Sequence, residues 1–254
     1  MLDLNFLSVL DEKAEFLYRF SDDIWTHPET AFTEFHAAAR YCAVLRSEGF
    51  AVTEGLAGIP TAFSRRFGSG RPVIGILAEF DALSGLSQEG GLTEQRSAGG
   101  DCGHGCGHNL LGMASLGAAI AVKRFLEENK CPGTVILYGC PGEEGGSGKA
   151  FMARDGVFDE LDAALCWHPD EVTGVGVQTS LANCQVLYTL TGKAAHAGGE
   201  PHLGRSALDA VELMVNAGLL AQAKQEHRRL VGPEGYVCPI PQGVRPRSMQ
   251  SLHK

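Results

Sequence analysis

The most constraining stretch of the chain is Asp101-Cys102-Gly103-His104-Gly105-Cys106-Gly107-His108-Asn109, in which two thiols and two imidazoles alternate with glycine. Thiolate and neutral imidazole are the usual ligands of zinc and related divalent ions. Glycine spacers let the backbone bend until alternate side chains reach one centre. The run Leu110–Val122 that follows is apolar and rich in small residues, the pattern of a buried helix, with Asn109 as its expected N-cap. The cluster is therefore expected on a loop at a helix N-terminus, as a metal site. Buried structural cysteines with satisfied histidines, or a closed structural zinc, are the alternatives. A structural zinc needs a second half-site of CxxC or HxxxH type, and the chain has none. The remaining ligands must come from single residues elsewhere, which suits a catalytic centre better than a zinc knuckle.

The periodicity supplies the frame. Residues 6–49 have helical spacing with one break at Thr26-His27-Pro28-Glu29, which gives helices near 9–25 and 31–49. His27, before a proline at that break, reads as a cap or surface residue. A strand-rich stretch begins at Ala51, and Pro72–Ala78 is a continuous apolar run of strand length, typical of a strand covered on both faces. Residues 84–100 read as a loop. After the helix at 110–128, Thr134–Gly139 is a second apolar strand, a helix is expected near 148–155, and Leu161–Cys166 is a third, shorter strand. Buried strands alternating with helices predict an α/β fold with a mostly parallel sheet and flanking helices. In such sheets ligands bind beyond the carboxyl ends of the strands. The three strands run directly into Asp81, into Glu143-Glu144 and into His168.

Paired acids usually lie on a solvated helix face. Glu143-Glu144 instead sits between Pro141-Gly142 and Gly145-Gly146, straight after a buried strand. On such a tight loop one carboxylate can hold an ion while its neighbour moves protons. From residue 183 the texture changes. Asn183–Thr191 alternates like an antiparallel strand, His196 lies among alanine and glycine on a turn, and Ser206-Ala207-Leu208-Asp209 has capping-box character ahead of a helix over 207–222. The expected organisation is a metal-binding domain over 1–180, part of a small α+β domain over 181–222, and an atypical, disordered tail over 223–254.

Composition narrows the partners. The 254 residues carry a net charge of −9, which argues against nucleic acid and anionic membrane surfaces. No apolar run is expected to reach membrane-spanning length uninterrupted, and Met1–Asn5 lacks a basic signal-peptide region. The eight cysteines are scattered through apolar contexts, the pattern of reduced thiols, so the expected location is cytoplasmic.

The motifs resemble those of the metal-dependent amidohydrolases related to aminoacylase, carboxypeptidase G and the plant auxin-conjugate hydrolases. The matching stretches are Trp25–Thr30, Ala78–Ser87, Gly103–Gly112, Gly139–Gly146, Ala164–Pro169, and Ala194–Ala197 with Pro201–Ala210, in chain order across about 15–213. The resemblance implies a zinc-peptidase-like catalytic domain and the start of a lid or dimerisation domain. It implies that Cys106 and His108, rather than Cys102 and His104, are metal ligands together with Glu144 and His168. It makes Glu143 the general base, Asp81 an orienting acid, and His196 a group that helps hold the developing oxyanion. Two divalent ions, zinc or manganese, are implied, and so is hydrolysis of an amide between an acyl or aryl-amine group and an amino acid such as glutamate, or of a dipeptide. The implied partners are the small-molecule substrate and a second copy or related subunit. Members of this family run longer and supply a further histidine ligand near the C-terminus, whereas the likeness here fades at about Met214. This predicts a truncated or frame-shifted chain with impaired turnover. Two other readings remain open at this point: a metal-binding subunit without catalysis, and a cysteine hydrolase using Cys106 with His108, which leaves the acid pair idle.

Overall fold

The computed structural model describes residues 4–176 and 188–225, the last seven of them by backbone alone. They fall into two compact units that divide between Thr173 and Gly174.

In the first unit, a short turn at Asn5–Leu7 leads into helices α1 (Ser8–Glu12), α2 (Ala14–Thr26) and α3 (Phe35–Ser47). Strands β1 (Ala51–Glu54), β2 (Phe63–Ser69) and β3 (Val73–Ala78) follow, then the short pair β4 (Leu83–Ser84) and β5 (Cys102–Gly103). Helix α4 (His108–Asn129), strand β6 (Gly133–Gly139), the single-turn α5 (Glu143–Gly146), helix α6 (Gly148–Arg154) and strand β7 (Ala163–Leu165) complete it.

The main sheet has the order β1-β2-β6-β3-β7. It is mixed. β1 and β2 pair antiparallel, as do β2 and β6, while β3 is parallel to both β6 and β7. The mostly parallel character expected of the sheet belongs to its β6-β3-β7 part, the three strands that read as buried runs. The antiparallel edge comes from β1 and β2, whose polar-interrupted sequences carry no such signal.

β6 is buried along its whole length because both faces are covered. On one side Leu17, Phe20 and Ile24 of α2, Tyr41 and Leu45 of α3, and Leu116 and Ile120 of α4 pack with Ile76, Val135 and Leu137. On the other, Met152 of α6 packs with Val73, Ile136 and Tyr138, backed by Phe158 and Leu161. Each such side chain removed from water contributes roughly 1.5–3 kcal/mol.

One expectation is corrected by α4. Asn109 is not its N-cap: Gly107 takes that position at φ +82, and Asn109 lies inside the first turn, donating its Nδ2–H to Ser21 Oγ at 3.0 Å. A left-handed cap favours glycine, and it lets His108 begin the helix. By length and composition the helix is also able to cross a membrane, although Lys123 and Arg124 interrupt its apolar run as expected. Here it is a core helix, with Leu116 and Ile120 packed against α2 and the sheet and Leu111 fully buried. Gly112 lets its first turn lie directly on the end of β3, since a Cβ there would fall 2.0 Å from Tyr41 Oη and 2.7 Å from the Glu79 carbonyl oxygen.

In the second unit Lys193 and Arg205 form an antiparallel bridge, and α7 (Ala207–Gln225) follows a turn at Pro201–Leu203. Ser206 Oγ accepts from the Asp209 amide at 3.0 Å, the expected cap. Most of the strand expected over 183–191, and the tail from 226, lie outside the described residues.

Candidate metal centre

β3, β6 and β7 point their carboxyl ends the same way, so the residues that follow them meet at one end of the sheet. His108, at the start of α4, lies fully buried among them. Its Nδ1–H donates to Asp81 Oδ1 at 3.0 Å and sits 3.1 Å from the Asp81 carbonyl oxygen. Asp81 Oδ2 accepts the Glu144 amide N–H at 2.9 Å. One buried carboxylate therefore sets both the imidazole and the acid turn. Burial alone would raise the Asp81 carboxyl, but the hydrogen bonds from His108 and Glu144 outweigh it and hold the group below its ordinary range.

With Nδ1 as donor, His108 Nε2 presents a lone pair. It faces Glu79 Oε2 at 3.1 Å and Glu144 Oε1 at 4.0 Å. Nε2 and Glu144 Oε1 are both buried, and neither has a hydrogen-bond partner. For the neutral imidazole the approach to Glu79 is a meeting of acceptors, costly unless a proton on Nε2 or another cation lies between them. Burial pulls the His108 imidazole down, but Asp81, Glu79 and Glu144 together raise it above its ordinary value. That is the electrostatic signature of a site that attracts positive charge.

Cys106 Sγ lies 3.3 Å from His168 Nε2, and His168 is turned by its Nδ1–H donating to the Pro169 carbonyl at 2.8 Å. Burial and the neighbouring carboxylates of Glu144, Glu143 and Glu79 push the Cys106 thiol up to about 12. A cation reverses that logic, because a coordinating thiol is deprotonated outright. Donor atoms of Cys106, His108 and His168 lie within 4.8 Å of one another, and so do those of Glu79, His108 and Glu143. His108 is common to both groups. The orphaned acceptors and the surplus of carboxylates fit divalent cations.

Glu143, on the exposed side of the turn, has its carboxyl raised by burial and by Glu79 and Glu144, against the opposing pull of Lys149 and His108. A more basic carboxylate is what proton transfer near neutral pH requires.

Two residues of this group are not singled out by the sequence. Glu79 is 5% exposed and pairs with the Lys149 ammonium. Glu79 sits inside the stretch noted for Asp81, and a charged side chain ending a buried strand was its available signal. Lys149 carries none. Cys102 stands apart, its thiol directed at the Pro28 carbonyl at 3.2 Å. Asp23, His27 and His36 also cluster, but as a closed arrangement. The two rings stack at 4.3 Å, His27 Nδ1 is taken by the Asp23 carbonyl, and Arg40 holds the Asp23 carboxylate. Near-parallel rings cannot both aim in-plane lone pairs at one ion.

His196 belongs to the second unit. Its Nδ1 accepts the amide N–H of Gly198 at 3.1 Å and of Gly199 at 2.9 Å. The neutral ring therefore carries its proton on Nε2; this tautomer is assigned from those hydrogen bonds.

His104 is 4% exposed, and neither ring nitrogen has a well-formed hydrogen bond; the Ile24 carbonyl nearby exerts only a weak pull. Burial, aided by the charge of His108, lowers its imidazole to about 4. Below pH 6.5 the unfolded chain takes up this proton and the folded chain does not. The contribution of His104 to stability is therefore full above about pH 6.5 and is lost as the pH falls towards about 4. Unfolding free energy measured over that window should fall less steeply for His104→Gln than for the native chain, by at most ~1.4 kcal/mol per pH unit. Parallel profiles would refute the assignment.

Residues 75–245, more than half of the chain, match the peptidase family M20/M25/M40. The chain belongs to that family. It is 56% identical over 195 residues to one of the subunits of the p-aminobenzoyl-glutamate hydrolase of Escherichia coli, a match covering 76% of this chain and 40% of that protein. It is 31% identical over 232 residues to the human Xaa-Arg dipeptidase, covering 85% of this chain and 49% of that one. The chain thus spans about two-fifths to one-half of the length of these relatives. Among solved structures, a dinuclear metal-binding peptidase of the M20 family from Bacillus subtilis has the same fold, with TM-score 0.51 and 23% identity over 64% of this chain and 43% of that one.

Proposed function

We propose that the protein is a metal-dependent amidohydrolase that cleaves the amide between an acyl or aminobenzoyl group and an amino acid, with p-aminobenzoyl-glutamate as the leading substrate and dipeptides as the neighbouring class. The observation that carries this reading is the pair of buried, unpartnered acceptors, His108 Nε2 and Glu144 Oε1, 4.0 Å apart. The names of the M20 relatives, one from a p-aminobenzoyl-glutamate hydrolase and one a dipeptidase, support the substrate class.

In this reading Cys106, His108, Glu144 and His168 hold two divalent ions, zinc or manganese. Such ions polarise a carbonyl and acidify water. Asp81 fixes the His108 tautomer, so that Nε2 stays free to ligate. Glu143 takes the proton of the attacking water and returns it to the leaving amine. His196 would offer its Nε2–H to the developing oxyanion of a neighbouring subunit's site. That the bacterial relative is named as one part of a larger hydrolase supports assembly as a homodimer or with a related chain. The six described cysteines are free thiols, which supports a cytoplasmic location.

The test is hydrolysis of p-aminobenzoyl-glutamate by the purified protein before and after removal of metal with a chelator. Activity should vanish with the metal and return with zinc or manganese. Chelator-resistant turnover would instead point to Cys106 as a nucleophile, and bound metal without turnover to a non-catalytic role.

A further inference from the structure

The turn that carries the acid pair is gripped by a segment far away in sequence. Glu34 is completely buried. Its Oε1 accepts the amide N–H of Phe32 at 2.9 Å and of Gly142 at 2.8 Å, and its Oε2 accepts the Thr61 hydroxyl at 2.9 Å. Gly142 is the residue immediately before Glu143. Phe32 adopts φ +63, a left-handed conformation that a bulky side chain rarely takes. Its ring occupies the space where Gly142 and Gly146 lack side chains: a Cβ would come 2.8 Å from the ring at Gly142 and 2.0 Å at Gly146.

Two costly features, a strained backbone and a buried carboxylate held by neutral donors, thus meet opposite one turn. Such features persist where the surroundings over-determine them, and they concentrate at functional sites. The turn is also held from its other side, where Asp81 accepts the Glu144 amide. Its two anchors are therefore carboxylates that bind backbone N–H on either side of Glu143.

We infer that Glu34 and Phe32 are positioning residues: they fix the placement of Glu143 and Glu144 relative to His108 without touching cation or substrate. This rests on the reading above in taking Glu144 as a ligand and Glu143 as the base.

The test uses Co(II) as probe, with affinity and d–d absorption read on the full chain, so that no turnover is needed. Glu34→Ala should weaken Co(II) binding on the order of tenfold or more, the scale of lost outer-shell support, and alter the d–d bands. Glu34→Gln should stay close to the native chain, because its amide oxygen still accepts both N–H groups and its NH2 can donate to Thr61. Val9→Ala, a buried truncation in α1, should lower the melting temperature without changing Co(II) affinity. Gly146→Ala should weaken binding through the clash with the ring, and Phe32→Ala/Gly146→Ala should bind no worse than Phe32→Ala alone. Independent sites would give additive losses. Should Glu34→Ala fail to fold, this cycle decides alone. Additive losses, or a Val9→Ala effect equal to that of Glu34→Ala, overturn the inference. Because cobalt binding is read separately, a chain that hydrolyses nothing defeats the proposed function and leaves this inference standing. Native affinity in Glu34→Ala does the reverse.

Discussion

Glu143→Gln is expected to lower kcat for p-aminobenzoyl-glutamate by about 10²–10⁴-fold, the usual contribution of a positioned general base, while metal content and KM stay near those of the native chain. The substitution keeps the shape of the side chain and removes its proton affinity. Glu143 lies on the exposed side of its turn, and its carboxyl is raised by burial and by the charges of Glu79 and Glu144. A loss confined to kcat marks an interaction made only in the transition state. Metal analysis beside steady-state kinetics makes the distinction. Unchanged kcat would remove Glu143 from the base role, and metal lost together with activity would make it a ligand.

Asp81→Asn should be the most damaging change that removes no ligand. The aspartate accepts on both oxygens, from His108 Nδ1–H and from the Glu144 amide. Asparagine has one acceptor and one donor group. If its oxygen keeps the Glu144 amide, its NH2 faces His108 and drives the imidazole proton to Nε2, the atom needed for a metal. If its oxygen keeps His108, the NH2 meets the Glu144 N–H and pushes the acid turn away. Either arrangement spoils the centre. Metal affinity should fall on the order of 10- to 100-fold, with a larger loss of turnover. Equilibrium dialysis against Zn(II) or Mn(II) measures the first quantity. Native affinity in Asp81→Asn would show that the orientation of His108 does not govern binding.

The location of the site could be read from the sequence because its determinants are local. An apolar run ending in a polar residue marks both the strand and the group placed at its mouth. That is why Asp81, Glu143-Glu144 and His168 were expected together, and they do converge beyond β3, β6 and β7. His108 was legible from its spacing with Cys106. What stayed hidden depends on partners distant in the chain. Glu79 and Asp81 both follow β3, and nothing in Ala78-Glu79-Phe80-Asp81 says that Glu79 also turns inward to meet Lys149. Glu34 looks like one more acid near a helix start until Gly142 and Thr61 arrive from elsewhere. Asn109 has the chemistry of a cap, but the packing of α4 on α2 gave it Ser21 as a partner and left the cap to Gly107. The antiparallel edge of the sheet is not legible because strand order is not encoded in periodicity.

That order carries a kinetic consequence. β2 and β3 are neighbours in the chain but not in the sheet, because β6 lies between them. Until the later strand has threaded that gap, Glu143 and Glu144 have no fixed relation to Asp81 and His108. Contacts so distant along a chain form late, because the intervening loop must be closed first. An ion meeting the nascent chain would find a thiol and an imidazole on a loop, and the complete cradle only once the last parallel strands are laid down.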